Sequence, residues 1–118
     1  MDVFIGRSKH PFVHVKLPSH SGPVALTCLI DTGFAGGIAI PEILRPRFDF
    51  PLITKQQWRL ADGTDKVLNV YSGKILVGQE EIAIETIFVN GDEGLIGIEF
   101  LLDKRLVLEI KKNLVSLE

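Results

Sequence analysis

A short uncharged run, Val24-Ala25-Leu26-Thr27-Cys28-Leu29-Ile30, leads straight into Asp31-Thr32-Gly33. It has the length of a strand rather than a helix. Apart from Thr27 it is apolar at every position, which predicts a central strand covered on both faces. A chain built around such a strand must bring cover to it and must end it at an Asp-Gly turn. That turn places a carboxylate at the edge of a core, a position suited to acid and base chemistry.

The rest of the chain follows the same pattern of short apolar runs cut by Gly, Pro, Asn and Asp, the mark of a mostly β protein. Phe12 to Leu17 alternates Val13, Val15 and Leu17 with His14 and Lys16, predicting a strand with one buried face. Ile38-Ala39-Ile40 reads as a short apolar strand. Pro41-Glu42-Ile43-Leu44 reads as a first helical turn stopped by Pro46. Trp58-Arg59-Leu60 and Val67 to Tyr71 flank Ala61-Asp62-Gly63-Thr64, a strong hairpin signal. Lys74 to Val77 and Ile82 to Val89 form a further pair, which leads into Gly94-Leu95-Ile96-Gly97. Ile98 to Asp103 suits a short helix, and Arg105 to Ile110 with Leu114 to Leu117 closes the chain. The total is about eight strands and two short helices.

Length and charge limit the function. The chain has 118 residues, 46% of them hydrophobic and 24% charged. That is enough for one core and too little for two lobes, so residues 1–118 are expected to form one domain. A formal net charge of −2 supplies no positive field to gather phosphates, and no stretch is long enough to span a bilayer, so neither nucleic acid nor membrane is an expected partner. The start turns polar almost at once, and Cys28 has no second cysteine to pair with, which makes the cytoplasm the default location.

Three elements, Leu29-Ile30-Asp31-Thr32-Gly33, the hairpin tip Ala61-Asp62-Gly63-Thr64, and Leu95-Ile96-Gly97 before a short helix, occur in an order and spacing that resembles a retropepsin-like aspartic peptidase. The resemblance covers about residues 12 to 117. It implies one lobe of the acid-protease fold, a closed β-barrel with one or two short helices. It also implies a homodimeric aspartic endopeptidase that hydrolyses peptide bonds with water activated between Asp31 of each subunit, without metal or cofactor. A chain with a single Asp-Thr-Gly meets that requirement by two-fold symmetry, which sets each residue near the axis against its own copy. Asp31, Thr32 and Gly33 would then form the catalytic loop, with the Thr32 hydroxyl locking the two loops together. Ala61, Asp62, Gly63 and Thr64 would form a flap that binds an extended peptide or protein segment as an added strand. Leu95, Ile96 and Gly97 would support the loop from behind.

Phe34 departs from the small residue usual after Asp-Thr-Gly in that family, and is read first as packing. The rival functional reading is a catalytically silent module that keeps the fold to bind or assemble a partner. A metal site is not expected: His10 and His14 flank Pro11 in an extended segment and lie about 13 Å apart, and Cys28 reads as a small buried hydrophobe. Trp58 reads as hairpin packing, and Gly33 to Gly37 precede a strand rather than the helix that a phosphate loop needs.

Overall fold

The computed structural model describes all 118 residues. Ten strands account for most of them: β1 (Val3–Ile5), β2 (Pro11–Leu17), β3 (Val24–Ile30), β4 (Ile38–Pro41), β5 (Leu52–Arg59), β6 (Asp65–Val77), β7 (Glu80–Val89), β8 (Gly94–Ile96), β9 (Leu106–Glu109) and β10 (Leu114–Leu117). One α-helical turn, α1 (Ile98–Leu101), and two 3-10 turns (Glu42–Arg47 and Ile110–Lys112) complete the fold.

Eight strands form one sheet in the order β1-β2-β3-β8-β4-β7-β6-β5. Two of its pairings are parallel, β3 with β8 and β4 with β7, and the others are antiparallel. The sheet curls until β6 meets β2 through the single pair Lys16 and Leu76. Strands β9 and β10 form a separate hairpin whose Leu117 is buried, and the amino terminus of Met1 donates to the Leu117 carbonyl at 3.2 Å. Chain start and chain end are thereby tied together.

One face of the curled sheet makes the core, where period-two alternation sends Val13, Val15 and Leu17 of β2 to meet Leu26, Cys28 and Ile30 of β3. Ile38, Ile40, Ile75, Ile84 and Ile96 join them. Each such side chain contributes on the order of 2 kcal/mol by leaving water. A smaller cluster of Phe34, Ala39, Val70 and Ile87 sits apart, at the root of the β5–β6 hairpin.

Several expectations need correction. β3 is central in the ladder, but only Val24, Leu26, Cys28 and Ile30 are buried, while Thr27 and Leu29 are half-buried and Ala25 is exposed. The sheet wraps around its main core, which leaves the outer face of β3 only partly covered, whereas β4, buried at every position, is covered on both faces. β6 is one continuous strand where two were expected. Gly73 does not break it, because a Cβ there would strike the fully buried side chain of Thr86, and the glycine is what lets the two strands pass. Pro41 ends β4 rather than opening the turn, Pro46 lies inside a 3-10 turn that runs on to Arg47 rather than stopping it, and α1 stops short of Leu102 and Asp103. β1 adds to the expected strands, and β5, expected at Trp58-Arg59-Leu60, begins further back at Leu52 and ends at Arg59.

Candidate active site

Asp31 follows β3 directly, and its position is fixed by chain segments far away in sequence. β8 runs parallel to β3 in the register Leu29 with Leu95 and Ile30 with Ile96. One step further, the Asp31 N–H donates to the Ile96 carbonyl at 2.8 Å. The Asp31 carboxylate oxygen Oδ1 accepts the Gly33 N–H at 2.9 Å, and its carbonyl accepts from Phe34 N–H at 3.1 Å. The loop is therefore closed on itself while the carboxylate stays half-buried and Thr32 and Gly33 remain exposed.

The segment after this loop is locked to the segment after β8. Gly97 N–H donates to Gly37 O at 2.9 Å, Ile98 N–H to Phe34 O at 2.8 Å and Glu99 N–H to Gly36 O at 3.2 Å. A Cβ at Gly97 would lie 2.6 Å from Phe34 O and strike Gly36 O as well, so only glycine lets the two chains approach this closely. Leu95 lines the groove described below, Ile96 is fully buried and Gly97 forms the crossing. All three stand directly behind the Asp31 loop.

The hairpin lies on the other side. β6 and β7 pair as far as Tyr71 and Thr86, then part: β6 continues from Val70 alongside β5, and β7 continues from Ile87 alongside β4. A groove of about 780 Å³ opens where they diverge. Asp31, Gly33 and Phe34 line one wall, Trp58 and Ala61 of the hairpin another, and Ile87, Val89 and Leu95 its floor. Asp31 is the single carboxylate in that lining.

Of the hairpin residues marked in the sequence, Ala61 reaches the groove, whereas Asp62, Gly63 and Thr64 form the tip beyond it. The tip is built by Leu60 N–H to Thr64 O at 2.8 Å and by Asp62, whose Oδ1 accepts both the Thr64 N–H at 2.9 Å and its hydroxyl at 2.6 Å. Those bonds, the hydroxyl's first, hold the Asp62 carboxyl below the usual carboxylate range. Gly63 sits at φ +85°, a left-handed conformation that favours glycine.

Phe34 is buried against Ala39, Val70 and Ile87 and also faces Trp58, with ring centroids 5.5 Å apart. It packs, as expected, and in doing so it holds the hairpin root to the Asp31 loop. Gln56, Gln57 and Arg59 also line the groove, and nothing in their sequence marked them. The histidines do not converge: His14 Nδ1 is 3.0 Å from the Thr27 hydroxyl, and no three His, Cys, Asp or Glu residues come together as a metal site would need. Burial pushes the Cys28 thiol up to about 12, with Glu93 adding to the shift.

The sequence matches no protein-family model and no curated protein. In fold the chain is similar to the crystal structure of a retropepsin-like aspartic protease from Rickettsia conorii. The TM-score is 0.57 at 15% identity, over 91% of this chain and 82% of that one.

Proposed function

We propose that this chain is an aspartic endopeptidase, a single domain that acts as a homodimer. One observation carries the reading: Asp31 is held by backbone bonds on both sides, faces a groove beneath a hairpin, and has no second carboxylate beside it in its own chain. Peptide hydrolysis by carboxylates needs two that share one proton. A two-fold axis beside the exposed Thr32 supplies the second from another copy. The curled sheet then serves as the closed-barrel lobe of the acid-protease fold.

In the proposed reaction one Asp31 carboxylate takes a proton from water, which attacks the scissile carbonyl. The protonated Asp31 of the other copy donates to the carbonyl oxygen. On collapse the first Asp31 passes its proton to the leaving amine as the C–N bond breaks, and a hydroxyl of the gem-diol returns its proton to the other Asp31, so the dyad regains its single shared proton. Gly33 N–H holds Oδ1 in place throughout. The unpaired edge of β6 offers backbone groups to an extended substrate, and Ala61 to Thr64 act as the flap over it. No metal or cofactor takes part. The proposed place of work is the cytoplasm, where a chain with one cysteine needs no disulfide.

The test is digestion of a diverse peptide mixture across pH by the parent and by Asp31→Asn, with products read by mass spectrometry and the oligomeric state by sedimentation. Cuts by a dimeric parent and none by a folded Asp31→Asn are expected. Equal cutting by both would remove Asp31 from the chemistry. A monomeric parent that cuts nothing would leave the binding module as the better account.

A further inference from the structure

The groove beside Asp31 does not end at the hairpin. A second basin of about 510 Å³ shares Leu60, Leu68 and Val89 with the first, so the two adjoin. The first basin is mostly apolar apart from Asp31, Arg59 and two glutamines. The polar wall of the second is Glu42, Arg45, Lys66, Asn69, Tyr71 and Asn90.

Arg45 is fixed in this wall. Its Nη1 lies 3.1 Å from Glu42 Oε1, its Nη2 donates to the Tyr71 hydroxyl at 2.9 Å, and its guanidinium lies 5.8 Å and 5.9 Å from the ring centroids of Tyr71 and Phe88. Asn69 Nδ2 reaches the same hydroxyl at 3.4 Å. Glu42 therefore balances Arg45. Lys66 has no such partner, since none of the chain's ion pairs includes it. The neighbouring charges Arg59 and Asp65 satisfy each other at 3.2 Å. The basin is left with one positive charge in excess and with amide donors around it.

We infer that this basin is a specificity subsite that selects a carboxylate side chain, Asp or Glu, on the peptide bound in the cleft, with Lys66 as the reading residue and Arg45 as its fixed companion. The inference rests on the peptidase reading for its substrate class. A strand laid along the open edge of β6 sends alternate side chains to either side, so one cleft can ask for an apolar residue near Asp31 and an acidic one elsewhere on the same strand.

The test uses a peptide library with amidated C termini, so that any selected carboxylate belongs to a side chain. Among the parent's cut sites, Asp and Glu are expected to be enriched about fivefold at one fixed distance from the scissile bond, the size an exposed charge pair supports. Lys66→Glu should turn that position to Lys and Arg. Retention of the same library on Asp31→Asn, with and without Lys66→Glu, repeats the question without catalysis. If the parent cuts nothing but Asp31→Asn still retains acidic peptides, the peptidase reading fails and the subsite stands. Cutting with no acidic position, a preference unmoved by Lys66→Glu, or retention by Asp31→Asn indifferent to charge would each overturn it.

Discussion

Replacing Gly97 with Ala should damage this protein more than replacing any turn glycine. Gly97 has φ −109° and ψ −174°, ordinary extended backbone, so alanine meets no torsional penalty there. The cost is steric. The added methyl would sit 2.6 Å from Phe34 O and against Gly36 O, whereas a carbon and a carbonyl oxygen settle at about 3.3 Å or more. Both oxygens belong to backbone that cannot rotate away. The crossing must spread, and the bonds that those oxygens accept from Ile98 and Glu99 stretch with it. Overpacking at about 2 kcal/mol, with about 1 kcal/mol for each weakened bond, gives roughly 4 kcal/mol. For a domain of this size that is a fall in Tm of about 15 °C. Urea and thermal unfolding at one fixed protein concentration measure it. Gly63→Ala serves as control, with left-handed backbone but open space around it, and a loss of about 1 kcal/mol. A Gly97→Ala loss no larger than the control's would refute the close crossing behind Asp31.

The Asp62 carboxyl is held below its ordinary value of 3.8, so its hold on the hairpin tip is present above that value and lost as pH falls through the lowered one. The Thr64 amide shift followed by NMR should titrate below 3.8, and a midpoint at or above it would contradict the Asp62–Thr64 turn. Glu85 is raised from 4.5, first by desolvation and then by Glu99. The folded state thus binds that proton more tightly than the unfolded chain, and stability falls as pH rises above 4.5. Glu99→Gln removes the charge yet keeps an acceptor for the Glu85 N–H, so the urea midpoint should fall less steeply over that range than the parent's. An unchanged slope would discount the Glu85–Glu99 interaction. Cys28, fully buried with its thiol pushed up to about 12, should resist alkylation in the folded protein at mildly alkaline pH and react fully in urea. Rapid modification of the native protein would show that the β3 face of the core opens readily.

Strands that bury one face announced themselves. Val13, Val15 and Leu17 alternate with polar partners, and the length of Val24 to Ile30 marked a strand, although its apolar run hid that only one face is buried. β5 could not be read in the same way, because Leu52 to Gln57 are all exposed and no burial pattern marks them. The mixed ladder was equally hidden: parallel pairing of β3 with β8 and of β4 with β7 joins segments whose own sequences name no partner. Asp31, the hairpin tip and Leu95-Ile96-Gly97 were found as motifs, and the structure brings Asp31, Gly33, Ala61 and Leu95 to one groove. Gln56, Gln57 and the Arg45–Lys66 basin were missed for a common reason. Each gains its setting only when separate strands diverge, and divergence leaves no trace in local pattern.

The bond from Asp31 N–H to Ile96 O has a consequence for how the protein is made. The strand carrying the carboxylate is made before the segments that position it, β8 and the crossing at Gly97, more than sixty residues later in the chain. Until then the loop has no backbone to dock on, since non-local contacts must wait for the intervening chain. A ribosome-bound fragment that stops before Leu95 therefore carries Asp31 without a site. The Asp31 loop takes its docked shape only once Ile96 and Gly97 have left the ribosome.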